Sequence, residues 1–333
     1  MPKPQTIAPK ITIGIVLYGT KYLTESLPSL LAQSFREFEL LLIDQEENLW
    51  SATKLIESKL PELQKDPRVK IFQGQNRWHS GGQNFLIRKS KAPLYIVASN
   101  DMFYPENFLQ QVWQTAKQQK QISIFAPKIW YWDFPHKVKT RILDSTGLII
   151  TRKQKILDRG QGEFDQGQYD KQSEIFGANG ACAIFRKTIL EKIRFRAEFF
   201  DELLHYKNDC ELAYRLCWAG AKALFAPAIT CWHDRQFPEN SFRERFQIPR
   251  ALRLNSFFGH RVLLLKNFSP KFSWRIKFAK SFYELQKILW LICCEPFLLK
   301  AFWQIQKQKR ALKEKKSKMI RAITASQMEK FFG

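Results

Sequence analysis

Short apolar runs alternate with longer amphipathic stretches along the first hundred residues of the chain. The runs are β-branched or aliphatic, stop at polar or glycine-bearing turns, and are Ile11–Leu17, Phe38–Ile43, Val69–Phe72 and Pro93–Ala98. Apolar side chains at helical spacing occupy the segments between them, at residues 22–35, 50–63 and 82–90. Strands that alternate with helices predict βαβ units and a parallel, doubly wound sheet, so we expect the α/β class.

The pattern changes beyond residue 133. Residues 133–173 are polar and rich in glycine, with a hairpin predicted around Leu148 to Ile156. The segments that follow predict a strand, two helices and a final strand, at 177–186, 187–193, 209–219 and 223–232. From about residue 269 onward the pattern is helical. We therefore expect one α/β domain over residues 1–268 and a helical tail over residues 269–333.

Positive charge is concentrated in that tail. The whole chain carries 54 Lys and Arg against 31 Asp and Glu, a formal net charge of +23. Residues 271–333 hold 15 Lys and Arg against 4 Glu, which accounts for +11 of that total. Basic residues mixed with large aromatics predict a helix on an anionic membrane surface. A solvated basic helix packed on the body is the alternative, and nucleic acid is not an expected partner because no binding motif for it is present.

Targeting signals and long apolar spans are not apparent in the sequence. The most apolar stretch, residues 288–303, is interrupted by Glu295, Pro296 and Lys300 and is too short to span a bilayer. The first ten residues lack the apolar core of a signal peptide. The six cysteines show no regular spacing, which predicts reduced thiols. We expect a cytoplasmic protein, peripheral at the inner face of the plasma membrane.

Four acidic or imidazole side chains follow predicted strands or begin a predicted helix: Asp44, Asp101, Asp209 and His233. In a doubly wound sheet such positions converge on one edge, where ligands bind. Asp101 closes the segment Ser99–Asn100–Asp101 after a buried strand, and a carboxylate there suits Mg²⁺ or Mn²⁺ bound to a diphosphate. Each residue alone also fits a structural role, as a turn residue, a helix cap or a surface imidazole.

At these residues the sequence resembles the family 2 glycosyltransferases, of the inverting GT-A type, and within them the bacterial rhamnosyltransferase-like branch. The resemblance covers roughly residues 11–270. Its most specific part is the block from Asp144 to Arg186. The other matching segments are Ile15–Tyr18, Leu41–Asp44, Asn76–Asn84 (NRWHSGGQN), Ser99–Asp101, Phe200–Glu202, Asn208–Asp209, Arg215, Ala219–Gly220, Pro227 and His233.

The resemblance implies a role for each matching position. The residues implied to hold the nucleotide sugar are Tyr18, Asp44, Asn76, Gly81, Gly82, Asn84 and Asn100. Of these, Asn76, Gly81, Gly82 and Asn84 would form a loop beside the nucleotide. Those implied to line the sugar and acceptor pocket are Gly177, Ala178, Asn179 and Asn208. Asp101 and His233 would bind Mg²⁺ or Mn²⁺, and Asp209 would be the catalytic base. The implied reaction moves a sugar, rhamnose from dTDP-rhamnose above all, to a saccharide or lipid-linked acceptor in surface polysaccharide synthesis. The residues themselves do not identify the donor, and a UDP-hexose or a furanose donor is the alternative.

Three positions depart from the family pattern. Ser99 replaces the first carboxylate of the metal motif, Asn208 replaces the acidic neighbour of the base, and Trp78 stands where the family has glycine. The last predicts an altered turn in the glycine-rich loop, where His79 is expected to make an orienting hydrogen bond. Together these changes leave a second hypothesis open, a catalytically degenerate GT-A fold that binds saccharide or serves as a scaffold. A structural zinc site is not expected, because the histidines and cysteines lack ligand spacing.

Overall fold

The structure, a computed structural model, describes residues 8–46, 51–235 and 242–333. Its first half alternates strands and helices as β1 (Ile11–Leu17), α1 (Leu23–Leu31), β2 (Phe38–Asp44), α2 (Ser51–Lys59), α3 (Pro61–Lys65), β3 (Val69–Gln73), α4 (Trp78–Lys89) and β4 (Leu94–Ala98). Strands β4, β1, β2 and β3 lie side by side and parallel. The α/β prediction is confirmed, while the predicted helix start at Trp50 and most of the N-terminal segment lie outside the described residues.

The second half extends the same sheet with a mixed arrangement. Its elements are β5 (Met102–Phe103), α5 (Phe108–Gln118), β6 (Ile124–Asp133), β7 (Val138–Ser145), β8 (Leu148–Ile150), β9 (Ile156–Asp158), β10 (Ser173–Ile175), β11 (Cys182–Arg186), α6 (Lys187–Ile193), α7 (Asn208–Trp218) and β12 (Ala223–His233). The sheet order is β10-β12-β6-β11-β4-β1-β2-β3. Strand β11 runs antiparallel to both β4 and β6, whereas β12 runs parallel to β6. The predicted hairpin is present as the antiparallel pair β8 and β9.

The C-terminal region is helical, as expected. It contains α8 (Phe242–Gln247), α9 (Arg250–Asn267), α10 (Trp274–Cys294), α11 (Lys300–Lys307), α12 (Lys309–Ser317) and α13 (Ala325–Glu329). The end of the chain returns to the sheet domain, where the Gly333 amide donates to the Ile150 carbonyl at 3.0 Å. Phe332 and Met328 pack there against Tyr214 and Trp218. The last residues are therefore bound to α7 and β8 by apolar packing and backbone hydrogen bonds.

Two apolar layers cover the two faces of the sheet. Ile11, Ile13 and Ile15 of β1 point into one layer with α1, α2 and α5, because alternate residues of a strand face opposite sides. The other face packs against α4, α6 and α7. Gly14 lies on that face, where a Cβ atom would be 1.9 Å from the Tyr95 hydroxyl. A side chain at position 14 would overlap Tyr95, so the packing of β1 on this face requires glycine there.

The structure differs from the sequence-based expectations at two boundaries near the site. Helix α4 begins at Trp78 instead of residue 82, so Gly81, Gly82 and Asn84 are helical and not part of a loop. Strand β11 begins at Cys182 instead of residue 177. The residues before Cys182 form a loop at the end of β4, where the Ser99 amide donates to the Ala181 carbonyl at 2.9 Å. Both differences concern residues near the edge of the sheet at which ligands are expected to bind.

Candidate active site

A cleft of about 370 Å³ opens at the carboxyl ends of β4 and β12, beside the start of α7. Its polar lining includes Ser99, Asp158, Asn179, Asp209 and His233. These residues come from five separate parts of the chain. Ser99 and His233 meet because their strands end at the same edge of the sheet, and β9, the loop before β11 and the start of α7 bring the other three to that edge. The predicted catalytic carboxylate and the predicted histidine ligand therefore border one cavity.

Asp101, His233 and Asp144 form a charged chain on one side of this cleft. His233 Nε2 lies 3.4 Å from Asp101 Oδ1, and His233 Nδ1 lies 2.9 Å from Asp144 Oδ2. Burial alone would lower the pKa of His233, but the two carboxylates outweigh it and raise the pKa to about 10. The imidazolium in turn holds the pKa of Asp101 below its usual range despite burial. The site is therefore built to balance a positive charge between two carboxylates.

Asp101 and His233 are the two residues predicted to bind a divalent cation, and they lie side by side. Asp101 Oδ1 is buried and makes no hydrogen bond shorter than its 3.4 Å contact with His233 Nε2, so a bound metal would replace that ion pair and satisfy the oxygen. Within residues 8–46, 51–235 and 242–333, no three His, Cys, Asp or Glu side chains converge as a metal cluster. Two protein ligands are nevertheless enough for Mg²⁺, which completes its shell with water and substrate phosphates.

Asp144 is a site residue that the sequence reasoning quoted only as the start of the Asp144–Arg186 block. Its carboxylate is fully buried and contacts both His233 and Arg235. Arg235 also binds Asp158 Oδ2 at 2.9 Å, and Asp158 Oδ1 accepts from Asn179 Nδ2 at 2.6 Å. A carboxylate behind a ligating histidine sets its tautomer and ring orientation. The sequence shows an acidic residue at position 144, but it does not show that the partner of this residue is His233, which lies 89 positions further along the chain.

Asp209 lies in the first turn of α7, at the opposite side of the cleft opening. Its Oδ2 accepts from the Gly180 amide at 3.0 Å and its Oδ1 from the Cys210 amide at 2.7 Å. These two amide hydrogen bonds fix the orientation of the carboxylate at the N-terminus of an eleven-residue helix. Each oxygen keeps a lone pair that can accept a proton from a substrate hydroxyl.

Asn208 connects α7 to α4. Its Nδ2 lies 2.9 Å from His79 Nδ1 and 3.1 Å from Ser80 Oγ. Removal from water lowers the pKa of His79 to about 4, against the opposing effect of Asp209. The imidazole is then neutral, and its Nδ1 accepts a hydrogen bond from the side-chain amide of Asn208. An ionised carboxylate at position 208 could not donate this hydrogen bond. The hydrogen bond expected for His79 is therefore present, and it orients the residue next to the base.

Trp78 occupies the left-handed backbone region that favours glycine, with φ of +55°. Its indole stacks on the His205 ring, with centroids 4.2 Å apart and planes inclined by 16°. The indole is about half exposed at the mouth of the cleft, where His205 is part of the lining. The tryptophan thus keeps a turn conformation that costs about 1–2 kcal/mol in a residue with a Cβ.

The residues predicted to hold the nucleotide divide into two groups. Tyr18 is exposed at the end of β1, and its carbonyl accepts from Asn100 Nδ2 at 2.8 Å. Asp44 is instead fully buried, and its Oδ2 accepts from the Thr53 amide and hydroxyl, each at 2.9 Å. The Asp44 carboxylate therefore caps the first turn of α2, which is a structural role. A direct contact of Asp44 with the ribose stays a prediction.

The glycine-rich segment, residues 76–84, allows the backbone of α4 to pack closely against β1. Gly82 lies against β1, where a Cβ atom would be 2.6 Å from Val16 Cγ2. Asn84 is buried, and its side chain binds the Phe199 and Phe200 amides and the Phe200 carbonyl, which holds the chain before α7. Asn76 Oδ1 accepts from the Trp78 amide at 2.9 Å, and Gly81 follows in the first turn of α4. These contacts correct the expectation of a loop, because close helix–strand packing requires small residues here.

Of the four residues predicted to line the acceptor pocket, two lie in the lining of the cleft and two lie behind it. Asn179 and Asn208 line the cleft. Gly177 lies beneath α7, where a Cβ atom would be 2.4 Å from Ala213 Cβ, and Ala178 is part of the core on that face. Gly177 and Ala178 support the cleft wall from behind because α7 packs directly on their backbone.

The family model for glycosyl transferase family 2 matches residues 12–194 of this chain. The chain belongs to the family 2 glycosyltransferases. It is thus a transferase that uses a nucleotide-sugar donor, and the site lies at the edge of the sheet where the two halves of the fold meet.

Solved structures share the fold of this glycosyltransferase. The mannosyltransferase PcManGT from Pyrobaculum calidifontis, in complex with GDP-Man and Mn²⁺, is 16% identical with a TM-score of 0.50, over 91% of this chain and 76% of that one. GalNAc-T7 with UDP, GalNAc and Mn²⁺ is 13% identical with a TM-score of 0.54, over 88% of this chain and 58% of that one. S. aureus TarS 1–349 with UDP-GlcNAc is 14% identical with a TM-score of 0.50, over 79% and 68%.

These identities establish the GT-A fold and not the substrate. No curated protein sequence matches this glycosyltransferase. In the described part of the chain, none of its helices has the length and apolarity that crossing a bilayer requires.

Proposed function

We propose that this glycosyltransferase moves rhamnose from dTDP-rhamnose, with inversion at the anomeric carbon, to a saccharide or lipid-linked acceptor in surface polysaccharide synthesis. The observation that carries the proposal is that Asp209 and His233 border one cleft, with Asp101 Oδ1 3.4 Å from His233 Nε2. A base and a cation site are thus available to the same bound sugar. The rhamnosyl specificity rests on the sequence resemblance alone.

The proposed reaction is a single displacement. The acceptor hydroxyl oxygen forms a bond to the anomeric carbon while the bond from that carbon to the diphosphate oxygen breaks with its electron pair. The hydroxyl proton passes to a carboxylate oxygen of Asp209, which acts as general base. A Mg²⁺ or Mn²⁺ held by Asp101 and His233 would neutralise charge on the departing diphosphate. The products are the glycoside and the nucleoside diphosphate.

The chain's own residues prepare that step. The amides of Gly180 and Cys210 hold the Asp209 carboxylate in one orientation. Asn208, bound to His79 and Ser80, anchors the start of α7 against α4. Orientation of this kind lets a nucleophile approach from the side opposite the leaving group, which is the geometry of inversion.

Release of nucleoside diphosphate tests the proposal, with dTDP-rhamnose, UDP-GlcNAc and GDP-mannose as donors, with and without Mn²⁺. We expect dTDP-rhamnose to give release, and dTDP to raise the melting temperature more than UDP or GDP. Asp209→Asn should lower release about 10²–10⁴-fold and leave the dTDP-induced shift in melting temperature intact. Asp133→Asn, the same change at a partly exposed carboxylate of β6 outside the cleft, is the matched control.

The second candidate, a degenerate fold that binds saccharide without turnover, is favoured by Ser99 at the metal motif. It predicts that the wild type is as inert as Asp209→Asn with every donor. A saccharide-induced rise in melting temperature without any nucleotide release would support it.

We further propose that α10 binds an anionic membrane surface. Its outward face is a continuous apolar stripe whose side chains are each more than half exposed, and these are Trp274, Phe278, Phe282, Leu285, Leu289 and Ile292. The helix has 21 residues and extends about 31 Å. The exposed basic residues around it are Lys271, Arg275, Lys277, Lys300 and Lys307. An apolar stripe with basic flanks is typical of helices that lie in the interface of anionic bilayers.

Vesicle co-sedimentation tests this surface, with phosphatidylcholine alone and with added phosphatidylglycerol. The wild type should bind the anionic vesicles, and Phe278→Ser with Phe282→Ser should weaken binding about tenfold or more. Phe164→Ser, at a similarly exposed phenylalanine on the sheet domain, should bind as the wild type does. Equal binding by all three proteins would rule out the α10 stripe as the membrane contact.

A further inference from the structure

A second cavity, of about 250 Å³, lies next to the cleft, between α9 and α10. The two cavities share Ile156 and Lys207 in their linings. Lys207 immediately precedes the start of α7, which carries Asp209. We call this second cavity the basic pocket. A ligand in the basic pocket would therefore extend directly to the residues beside the catalytic base.

Positive side chains dominate the lining of the basic pocket, which includes Lys155, Lys207, Arg245, Arg253 and Lys287. Among the described residues that line it there is no carboxylate. Two buried carboxylates stand behind the lining. Glu295 binds Arg245 at 2.6 Å and Arg253 at 2.5 Å, and Glu284 lies 3.6 Å from Lys287 Nζ. Among the described residues, the charges of Lys155, Arg245, Arg253 and Lys287 exceed those of the two carboxylates, and Glu284 also pairs with Arg261.

Buried donors in the basic pocket lack partners in the described part of the chain. Arg253 is 8% exposed, and its Nε makes no hydrogen bond. His260, also 8% exposed, makes no hydrogen bond through Nε2, and the nearest charged oxygen to that atom is Glu284 Oε1 at 3.6 Å. Burial, together with repulsion from Arg261, Lys207, Lys155 and Arg245, lowers the pKa of Lys287 to about 7. Unsatisfied buried donors and crowded cations are relieved by a bound anion.

The geometry of α10 relates the basic pocket to the proposed membrane surface. Tyr283 and Lys287 are one turn apart on α10 and line the pocket. Phe278, Phe282 and Leu289 are turned about 120–160° away from them, given about 100° per residue, and are exposed. One face of a single helix therefore lines an anion-binding cavity while the opposite face is apolar and open. A molecule with an apolar tail and an anionic head could contact both the bilayer and the cavity.

We propose that the basic pocket binds the phosphate or diphosphate group of a lipid-linked acceptor and thereby directs its sugar hydroxyl to Asp209. This inference rests on the proposed function, because it identifies the acceptor class of the same site. The excess of cations matches a multiply charged anion better than a single carboxylate. The donor diphosphate is expected elsewhere, at Asp101 and His233. The carboxylates there would repel an anion unless it is bound together with a divalent cation.

Anion binding without metal tests the proposal on the full chain. In EDTA, which keeps any divalent cation away from Asp101, inorganic pyrophosphate and decyl phosphate below its micelle concentration are titrated by calorimetry. Lys155→Gln with Lys287→Gln should weaken both about 20-fold or more. Lys117→Gln with Lys120→Gln, at two exposed lysines at and just after the end of α5, is the control with the same number of substituted lysines and should bind like the wild type. The substitution at Lys287 removes a repelled charge, so unfolding is not the expected cause of any loss.

Each outcome decides the inference. Loss of both ligands in the double variant, with the dTDP-induced shift in melting temperature retained, supports it. Equal affinity of the double variant and the wild type overturns it. Binding of pyrophosphate but not of decyl phosphate would make the cavity a site for free anions and overturn the assignment to the acceptor. Because no donor is present in this assay, failure of the proposed glycosyl transfer would be seen separately, in nucleotide release.

Discussion

Two adjacent cavities of this glycosyltransferase have opposite electrostatic designs. In the cleft, His233 lies between Asp101 and Asp144, which raise its pKa to about 10. In the basic pocket, burial and then Lys287, Lys207, Arg261 and Lys280 lower the pKa of His260 well below the usual range. Both imidazoles are buried, so the difference comes from the charges that surround each ring.

The contrast shows what each cavity is suited to bind. A cavity whose carboxylates stabilise a histidinium also stabilises a metal cation in its place. A cavity whose cations destabilise a histidinium stabilises an anion. The two linings meet at Lys207 and Ile156, one residue before Asn208 and two before Asp209. The proposed base, Asp209, is thus located where a cation-bearing donor and an anionic acceptor would come together.

Among the substitutions that test this difference between the cavities, we expect Asp144→Asn to have the largest effect, on the affinity of the cleft for a metal cation. Loss of the carboxylate behind His233 should lower Mn²⁺ affinity about 10–100-fold, because a ligating histidine depends on the group that orients it. Calorimetry of Mn²⁺ with dTDP present measures the change, and thermal unfolding monitors stability. Asp133→Asn removes a carboxylate that binds His136 Nδ1 at 2.9 Å on the surface and should leave Mn²⁺ affinity unchanged. If both variants bind Mn²⁺ equally well, Asp144 has no role in orienting the ligand.

The strands with aliphatic runs, such as β1 and β4, were predictable from the sequence because their burial depends on local composition. Strand β6 was missed, since Pro127 and Lys128 interrupt its apolar pattern. Lys128 is buried there because Asp165 binds its Nζ at 3.0 Å. That partner is 37 residues away, and no local pattern reveals it. Helices α5 and α9 were missed as well.

The site shows the same division between local and distant information. The position of Asp209 at the start of a helix followed from the local pattern. The contact of His233 with Asp144 spans 89 residues, and the basic pocket combines residues from β9, α9 and α10. The helical state of Gly82 depends on its contact with Val16 of β1. Such features depend on which elements pack together, which the sequence pattern alone does not specify.

A smaller effect, on the basic pocket, is a pH dependence that comes from Lys287. Its pKa of about 7 means that it carries charge below that pH and loses it above. Sulfate, whose charge is constant from pH 6 to pH 9, should therefore bind several-fold more weakly as pH rises through 7. His260, which lines the same pocket, stays neutral because burial and the neighbouring cations hold its pKa well below the usual value. Calorimetry in EDTA measures the affinity.

Lys287→Gln should remove this part of the pH dependence and leave the remaining affinity nearly constant. The sign follows from the direction of the shift, because a cation whose pKa is lowered is lost first as the pH rises. An affinity that increases with pH, or a variant that keeps the wild-type pH profile, would assign the effect to another group.

The smallest effect is expected at Trp78, at the mouth of the cleft. Trp78→Gly removes the stacking on His205, worth about 0.5–1.5 kcal/mol, and also relieves the left-handed conformation, which costs about 1–2 kcal/mol. The two changes nearly cancel, so the free energy of unfolding should stay within about 1 kcal/mol of the wild type. Trp78→Ala loses the same stacking and keeps a Cβ at φ of +55°, so it should be less stable than Trp78→Gly by about 1 kcal/mol. Urea unfolding of the three proteins measures the order. An alanine variant as stable as the glycine variant would mean that residue 78 is free to leave the left-handed region, and that the turn before α4 is not held by its neighbours.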